Sequence, residues 1–140
     1  MQTIILNNKP LVEAIFEVRW DLSPSPTGVP QDPQYDIIVG QLKESLNKEL
    51  PFHARLPIGI ISGFNIPYQV QHQFRIAADA WPLVQIGPGL MTVNETANYT
   101  SEKYISLCVH VFTTLVKLWK QNGLVPNISF VSLRYVVCIG

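Results

Sequence analysis

Apolar and polar residues alternate near the start of the chain and predict its first strand. The apolar members of this alternation are Val12, Ala14, Phe16, Val18 and Trp20. A period of two is typical of a strand with one packed face and one largely wet face. The following segment, 21–34, contains four prolines and a glycine, which break both helices and strands. We therefore expect a strand over 12–20 and then a long surface loop.

Two stretches show the three- and four-residue spacing of apolar side chains that is typical of amphipathic helices. The first begins after Asp32-Pro33, where a capping residue precedes proline at the first helical position, and ends near Leu50. The second begins at Thr100 or Ser101, either of which can cap it, and Gly123 ends it. Its apolar stripe is so broad that we expect this helix to be buried on more than one side.

The remaining segments predict five more strands. Apolar, branched residues indicate a strand over 58–64, and alternation over 70–76 indicates another in which His72 points inward. Segments 83–86 and 90–95 flank Gly87-Pro88-Gly89 and predict a hairpin. The final strand is expected over 128–139, with an apolar pattern that continues almost to the last residue.

The predicted order β-α-β-β-β-β-α-β favours an α+β fold. Consecutive strands without crossovers favour a mostly antiparallel sheet, and two amphipathic helices can cover one of its faces. No linker, repeat or low-complexity tract divides residues 1–140, so we expect a single domain. Because chain termini are usually polar, we expect a chain that ends in apolar residues to be C-terminally truncated relative to longer relatives.

Charge and hydropathy bound the environment of the protein. The 140 residues include 10 Lys plus Arg and 10 Asp plus Glu, so the formal net charge is zero. This balance disfavours nucleic-acid binding, which needs clustered cations. Apolar runs stay shorter than the ~18 residues of a membrane span, and the first residues lack the features of a signal peptide. We therefore expect a cytoplasmic protein that does not associate with membranes.

The low density of charge predicts a covered surface. Charged residues make up 14 % of the chain, against about 25 % in an average domain. We therefore expect a homo-oligomer or a protein partner. The predicted interface lies on the final strand and consists of Leu133, Tyr135, Val137 and Ile139.

Six side chains are candidates for ligand binding. They are Glu13, Glu17, His72, Arg75, Trp81 and Glu95. A direct dyad of Glu13 and Glu17 is excluded, because residues four apart on a strand are about 13 Å apart at ~3.3 Å per residue. The histidines and cysteines lack metal-ligand spacing, and no nucleophile or phosphate-loop motif is present. We therefore predict no catalytic residue, metal or cofactor.

Three segments carry a resemblance to a known family. They are residues 8–20 (NKPLVEAIFEVRW), 81–95 (WPLVQIGPGLMTVNE) and 133–135 (LRY). Together they resemble a sporadically distributed, uncharacterised family of bacterial and archaeal proteins, and this chain looks like the N-terminal part of such a protein. Family members look longer and usually continue with asparagine where Val136 stands here. The resemblance supports the expected truncation and implies no activity, because no site residues are established for the family.

Three functional hypotheses follow from these observations. The leading one is a non-enzymatic binding or interaction module, because charge is low, the second helix is broadly apolar and a catalytic constellation is missing. The alternative is a small-molecule-binding or hydrolytic domain with a pocket between the sheet and the second helix. Nucleic-acid binding is the third hypothesis.

Overall fold

The described part of the chain is a six-stranded antiparallel sheet with two helices packed against one face. The computed structural model describes residues 11–57, 66–96 and 100–138. The elements are β1 (Leu11–Trp20), α1 (Tyr35–Leu46), β2 (Phe52–Arg55), β3 (His72–Arg75), β4 (Leu83–Gly87), β5 (Leu90–Glu95), α2 (Ser101–Gln121) and β6 (Ile128–Cys138). The sheet order is β2-β3-β4-β5-β1-β6, with antiparallel neighbours throughout. This confirms the predicted α+β class.

The hydrophobic core lies between the helices and one face of the sheet. Both helices turn their apolar stripes toward the strands, and residues such as Leu42, Val111 and Leu115 are fully buried. Ala14 and Val18 meet them from β1, as the alternation predicted. The broad stripe of α2 is only partly covered, because Val109 remains 56 % exposed.

Local signals predicted the ends of α2 well and the start of α1 less well. The Thr100 side chain accepts a hydrogen bond from the Lys103 backbone, and Gly123 has the positive φ of 72° expected after a helix. In contrast, α1 begins at Tyr35, and the preceding residue, Gln34, makes no side-chain cap. The Asp32 backbone carbonyl instead accepts a hydrogen bond from the Tyr35 N–H at 3.1 Å.

One predicted strand lies outside the described residues, and one observed strand was not predicted. The apolar segment 58–64 falls in the undescribed range 58–65. The four-residue strand β2 pairs with β3, with Phe52 opposite Arg75. So short a strand directly after Pro51 carries too few residues for its period to be recognised.

Candidate functional site

Strand β6 presents a row of exposed apolar side chains toward the helix side of the sheet. Val131, Leu133, Tyr135 and Val137 are between 45 % and 59 % exposed. They share a face because they alternate along the strand, and Leu133 pairs with Phe16, which contacts Phe112 of α2. Three of these residues belong to the predicted interface, whereas Ile139 lies outside the described residues.

The opposite face of β6 is also apolar and exposed. Phe130 and Val136 are both 42 % exposed on this side, where they flank Ser132 and Arg134. The predicted interface does not contain Phe130, Val131 or Val136. The signal was present, because apolar residues continue on both faces of this strand, but it is also typical of a strand buried on both faces.

The free edge of β6 has few of the features that keep sheet edges from pairing. In the described sheet, β6 pairs only with β1 and stands at the end of the strand order. Its 11 residues contain one charged side chain, Arg134, and no proline. Natural edge strands are usually short, bulged, charged or interrupted by proline. A long apolar edge of this kind is therefore suited to pairing with another strand.

An apolar groove lies between α2 and β6. Its volume is about 230 Å³, and its lining residues are Phe16, Ile105, Cys108, Val109, Phe112, Thr113 and Leu133. Burial raises the pKa of the Cys108 thiol to about 11, so this sulfur stays protonated near neutral pH. None of the six predicted ligand-binding residues lines the groove. Its chemistry suits the docking of apolar side chains.

Glu17 is buried on the sheet face that points away from the helices. Its carboxylate accepts hydrogen bonds from Arg19 Nε at 2.7 Å and from Arg134 Nη2 at 3.1 Å. Burial raises the pKa of Glu17, but the hydrogen bonds and charges of the two arginines outweigh it, so the pKa lies below its ordinary value. Sequence analysis predicted this face to be largely wet, but the long arginine side chains help to cover it. The arrangement is that of a structural ion pair.

Glu13 also has a structural partner on this face. The Asn94 side chain donates a hydrogen bond from Nδ2 to Glu13 Oε1 at 3.0 Å. A neighbouring hydrogen-bonded row crosses three strands, in which Gln73 donates to Gln85 at 2.9 Å and Gln85 donates to Thr92 at 3.2 Å. These bonds join adjacent strands and so stabilise the sheet.

The other four predicted residues lie in three separate places. Arg75, on β3, places its guanidinium 5.6 Å from the centroid of the Trp81 ring, an arrangement that suits a cation–π contact. His72 and Glu95 lie on the helix side of the sheet, at the ends of β3 and β5. Burial raises the pKa of Glu95, although the Thr96 backbone N–H lowers it. The structure therefore does not bring the six residues into one site.

His72 and Tyr35 are buried and form a cluster with the half-buried His53. The Tyr35 hydroxyl lies 2.7 Å from His72 Nδ1, and the His53 ring stacks on His72 with centroids 5.2 Å apart. Burial, followed by the charges of His53 and Arg55, lowers the pKa of His72 to about 4. The cluster lacks a third metal ligand, since no group of three such residues occurs in the described part of the chain.

Comparison with known proteins assigns no family. No family model, curated protein or solved structure matches this chain significantly. In addition, neither described helix is long and apolar enough to cross a membrane. The family resemblance of residues 8–20 and 81–95 therefore stays a prediction, and a functional proposal must rest on the geometry of the molecule.

Proposed function

We propose that the chain is a non-enzymatic interaction module that pairs two copies of itself through β6. The observation that carries this proposal is the exposed apolar edge strand, with uncovered side chains on both faces. Antiparallel pairing of two such edges extends the six-stranded sheets into one continuous sheet. It satisfies the edge backbone groups and covers the apolar rows at the same time.

The sequence of β6 is compatible with two-fold pairing about its centre. When Leu133 lies opposite Leu133 of the second copy, Val131 faces Tyr135 and Phe130 faces Val136. Pairs of aromatic and β-branched side chains are favourable across strands. Arg134 then faces Ser132, so its charge does not oppose its counterpart. The same register therefore places apolar residues opposite apolar residues at these positions on both faces, whereas Val137 faces Ser129.

The exposed area suggests a dimer of moderate affinity. Complete burial of a side chain of this size contributes about 1.5–3 kcal/mol, and the four helix-side residues are about half exposed. Complete burial of the exposed half would contribute about 1 kcal/mol for each residue, so about 8 kcal/mol for two copies is the upper limit. This gain is comparable with the association cost of about 4–15 kcal/mol. Hydrogen bonds along the new strand pair and the residues on the opposite face supply the surplus.

The pairing register can be tested by disulfide trapping in a Cys138→Ser background. Opposite residues in antiparallel strands have Cα atoms about 4.5–5.5 Å apart, which is within the range that a disulfide spans. Leu133→Cys should therefore form a covalent dimer under mild oxidation. Mixing Val131→Cys with Tyr135→Cys should give mainly the mixed dimer. A matched control is Ile76→Cys, at an exposed apolar residue after β3, which should form no covalent dimer.

A second experiment measures association without a cross-link. Sedimentation velocity should show a concentration-dependent dimer for the native chain and a monomer for Leu133→Lys, because lysine disfavours edge pairing. The control Ile76→Lys should still dimerise. A native chain that remains monomeric at every accessible concentration would overturn the proposal, as would a Leu133→Lys variant that dimerises normally.

A further inference from the structure

A second cavity lies where the end of β1, the loop over 21–34 and the C-terminal end of α2 meet. Its volume is about 190 Å³, and two tryptophans, Trp20 and Trp119, are among its lining residues. Their rings contact each other edge to face, with centroids 4.9 Å apart and planes at 70°. Both side chains are almost fully buried, so the core holds them in position.

Two carboxylates line the same cavity without a cation among the lining residues. They are Asp21 and Asp32, and the lining residues that belong to the described part of the chain include no lysine, arginine or histidine. Asp21 accepts a hydrogen bond from Asn127 Nδ2 at 2.7 Å. Burial raises the pKa of Asp32 more than the Gln34 backbone N–H and the Trp20 side chain lower it, which is consistent with a carboxyl group that has lost water without gaining a positive partner.

The end of α2 strengthens the negative character of this place. Trp119 lies in the last turn of the helix, and its carbonyl accepts hydrogen bonds from the Asn122 and Leu124 backbone N–H groups. The C-terminal end of a helix carries partial negative charge and favours cations. The N-terminal end of α1, which carries partial positive charge, follows Asp32, whose backbone carbonyl accepts a hydrogen bond from the Tyr35 N–H.

We propose that this cavity binds a small organic cation, namely an ammonium or methylated ammonium group. Indole rings attract such cations, and the effect grows when the cation is desolvated. Leu22, Leu124 and Pro126 add apolar surface that suits methyl or methylene groups. Sites for drug-sized ligands have volumes of about 300–1,000 Å³. This cavity is smaller, and its size therefore suits a cationic head group. This inference is independent of pairing through β6.

Tetramethylammonium chloride is a suitable probe, with tert-butanol as a neutral molecule of similar shape. Binding is followed by tryptophan fluorescence in a Trp81→Phe variant, which leaves only Trp20 and Trp119 as emitters, and by calorimetry at constant ionic strength. We expect a saturable fluorescence change with tetramethylammonium and at least about tenfold weaker binding of tert-butanol. Equal binding of the two probes, or no saturable binding of the cation, would refute the inference.

Charge removal inside the cavity supplies the matched comparison. Asp32→Asn preserves the shape and hydrogen-bonding oxygen of the side chain but removes its charge, and we expect about tenfold weaker binding of tetramethylammonium because the Coulomb attraction is lost. The control is Glu44→Gln, at an exposed residue of α1 outside the cavity, which should bind as the native chain does. Equal losses in both variants would indicate general electrostatics and contradict a site.

Two further variants keep the test decisive. If Asp32→Asn unfolds, Asp21→Asn provides the same comparison at the second carboxylate of the cavity, and unchanged binding there would overturn the inference. Leu133→Lys should bind tetramethylammonium normally even when it is monomeric. Failure of pairing through β6 and failure of cation binding are therefore separately observable.

Discussion

His72 should make the folded protein sensitive to mild acid. The side chain is 7 % exposed and lies against Tyr35 on the helix side of β3. The Tyr35 hydroxyl also donates to the Ile86 carbonyl at 3.1 Å. The bond to the Ile86 carbonyl uses the only hydrogen of the Tyr35 hydroxyl. We therefore assign Nδ1–H of His72 as the donor in the contact with the Tyr35 oxygen. This network holds a neutral imidazole in a place where burial opposes protonation.

The pKa of His72 determines the magnitude of the effect. Burial, and then the charges of His53 and Arg55, lower it from 6.5 to about 4. Between these values the unfolded chain binds the proton and the folded chain does not, so acid favours unfolding. With 1.36 kcal/mol for each pKa unit, His72 alone reduces the free energy of unfolding by about 2 kcal/mol from pH 7 to 5 and by about 3 kcal/mol by pH 4.

Urea unfolding at pH 7, 6 and 5 measures this loss. His72→Gln removes the titrating group, so the decrease in stability between pH 7 and 5 should shrink by about 2 kcal/mol relative to the native chain. Ile37→Gln, at an exposed residue of α1 that does not titrate, should leave the decrease unchanged. Glu17 also contributes to stability, and because its pKa is lowered, this contribution is lost only at still lower pH. The native chain and His72→Gln both contain Glu17, so its contribution cancels when their pH dependences are compared. Identical pH dependence of the native chain and His72→Gln would refute the reasoning.

Two further predictions concern glycine and cysteine positions. Gly87→Ala should destabilise the protein by about 3 kcal/mol or more, because the new Cβ would overlap the Gln69 carbonyl. In contrast, the Cβ of Gly40→Ala on α1 would meet only open space. This substitution should stabilise the protein by about 0.5–1 kcal/mol. Thermal unfolding compares them, and equal effects would contradict this. In a Cys138→Ser background, Cys108 should react with a thiol reagent at pH 8 only after unfolding, because burial raises its pKa to about 11. Rapid labelling of the native protein would contradict this.

Local patterns were sufficient for much of the secondary structure. The alternation in β1 predicted which of its side chains enter the core, and Gly87-Pro88-Gly89 predicted the hairpin between β4 and β5, which the pairing of Gly87 with Leu90 confirms. Thr100 and Gly123 marked the limits of α2. Each of these signals depends on residues close together along the chain, which is why the sequence contains them.

The candidate site depends on distant segments. Sequence analysis chose Leu133, Tyr135 and Val137 from their apolar pattern, but the place of β6 at the end of the described sheet comes from strand order. Likewise, the alternation turned His72 inward without indicating Tyr35 as its partner.

The sequence by itself determined the α+β class and the apolar faces of the elements, including the apolar pattern of β6, because periodicity and helix caps are local properties. Only the tertiary structure decided that the arginine of β6, Arg134, pairs with Glu17 of β1, 117 residues away. It also decided that Trp20, Asp32 and Trp119 share one cavity. The physical reason is that strand order and burial are relations between segments far apart in the chain, which a one-dimensional pattern does not record.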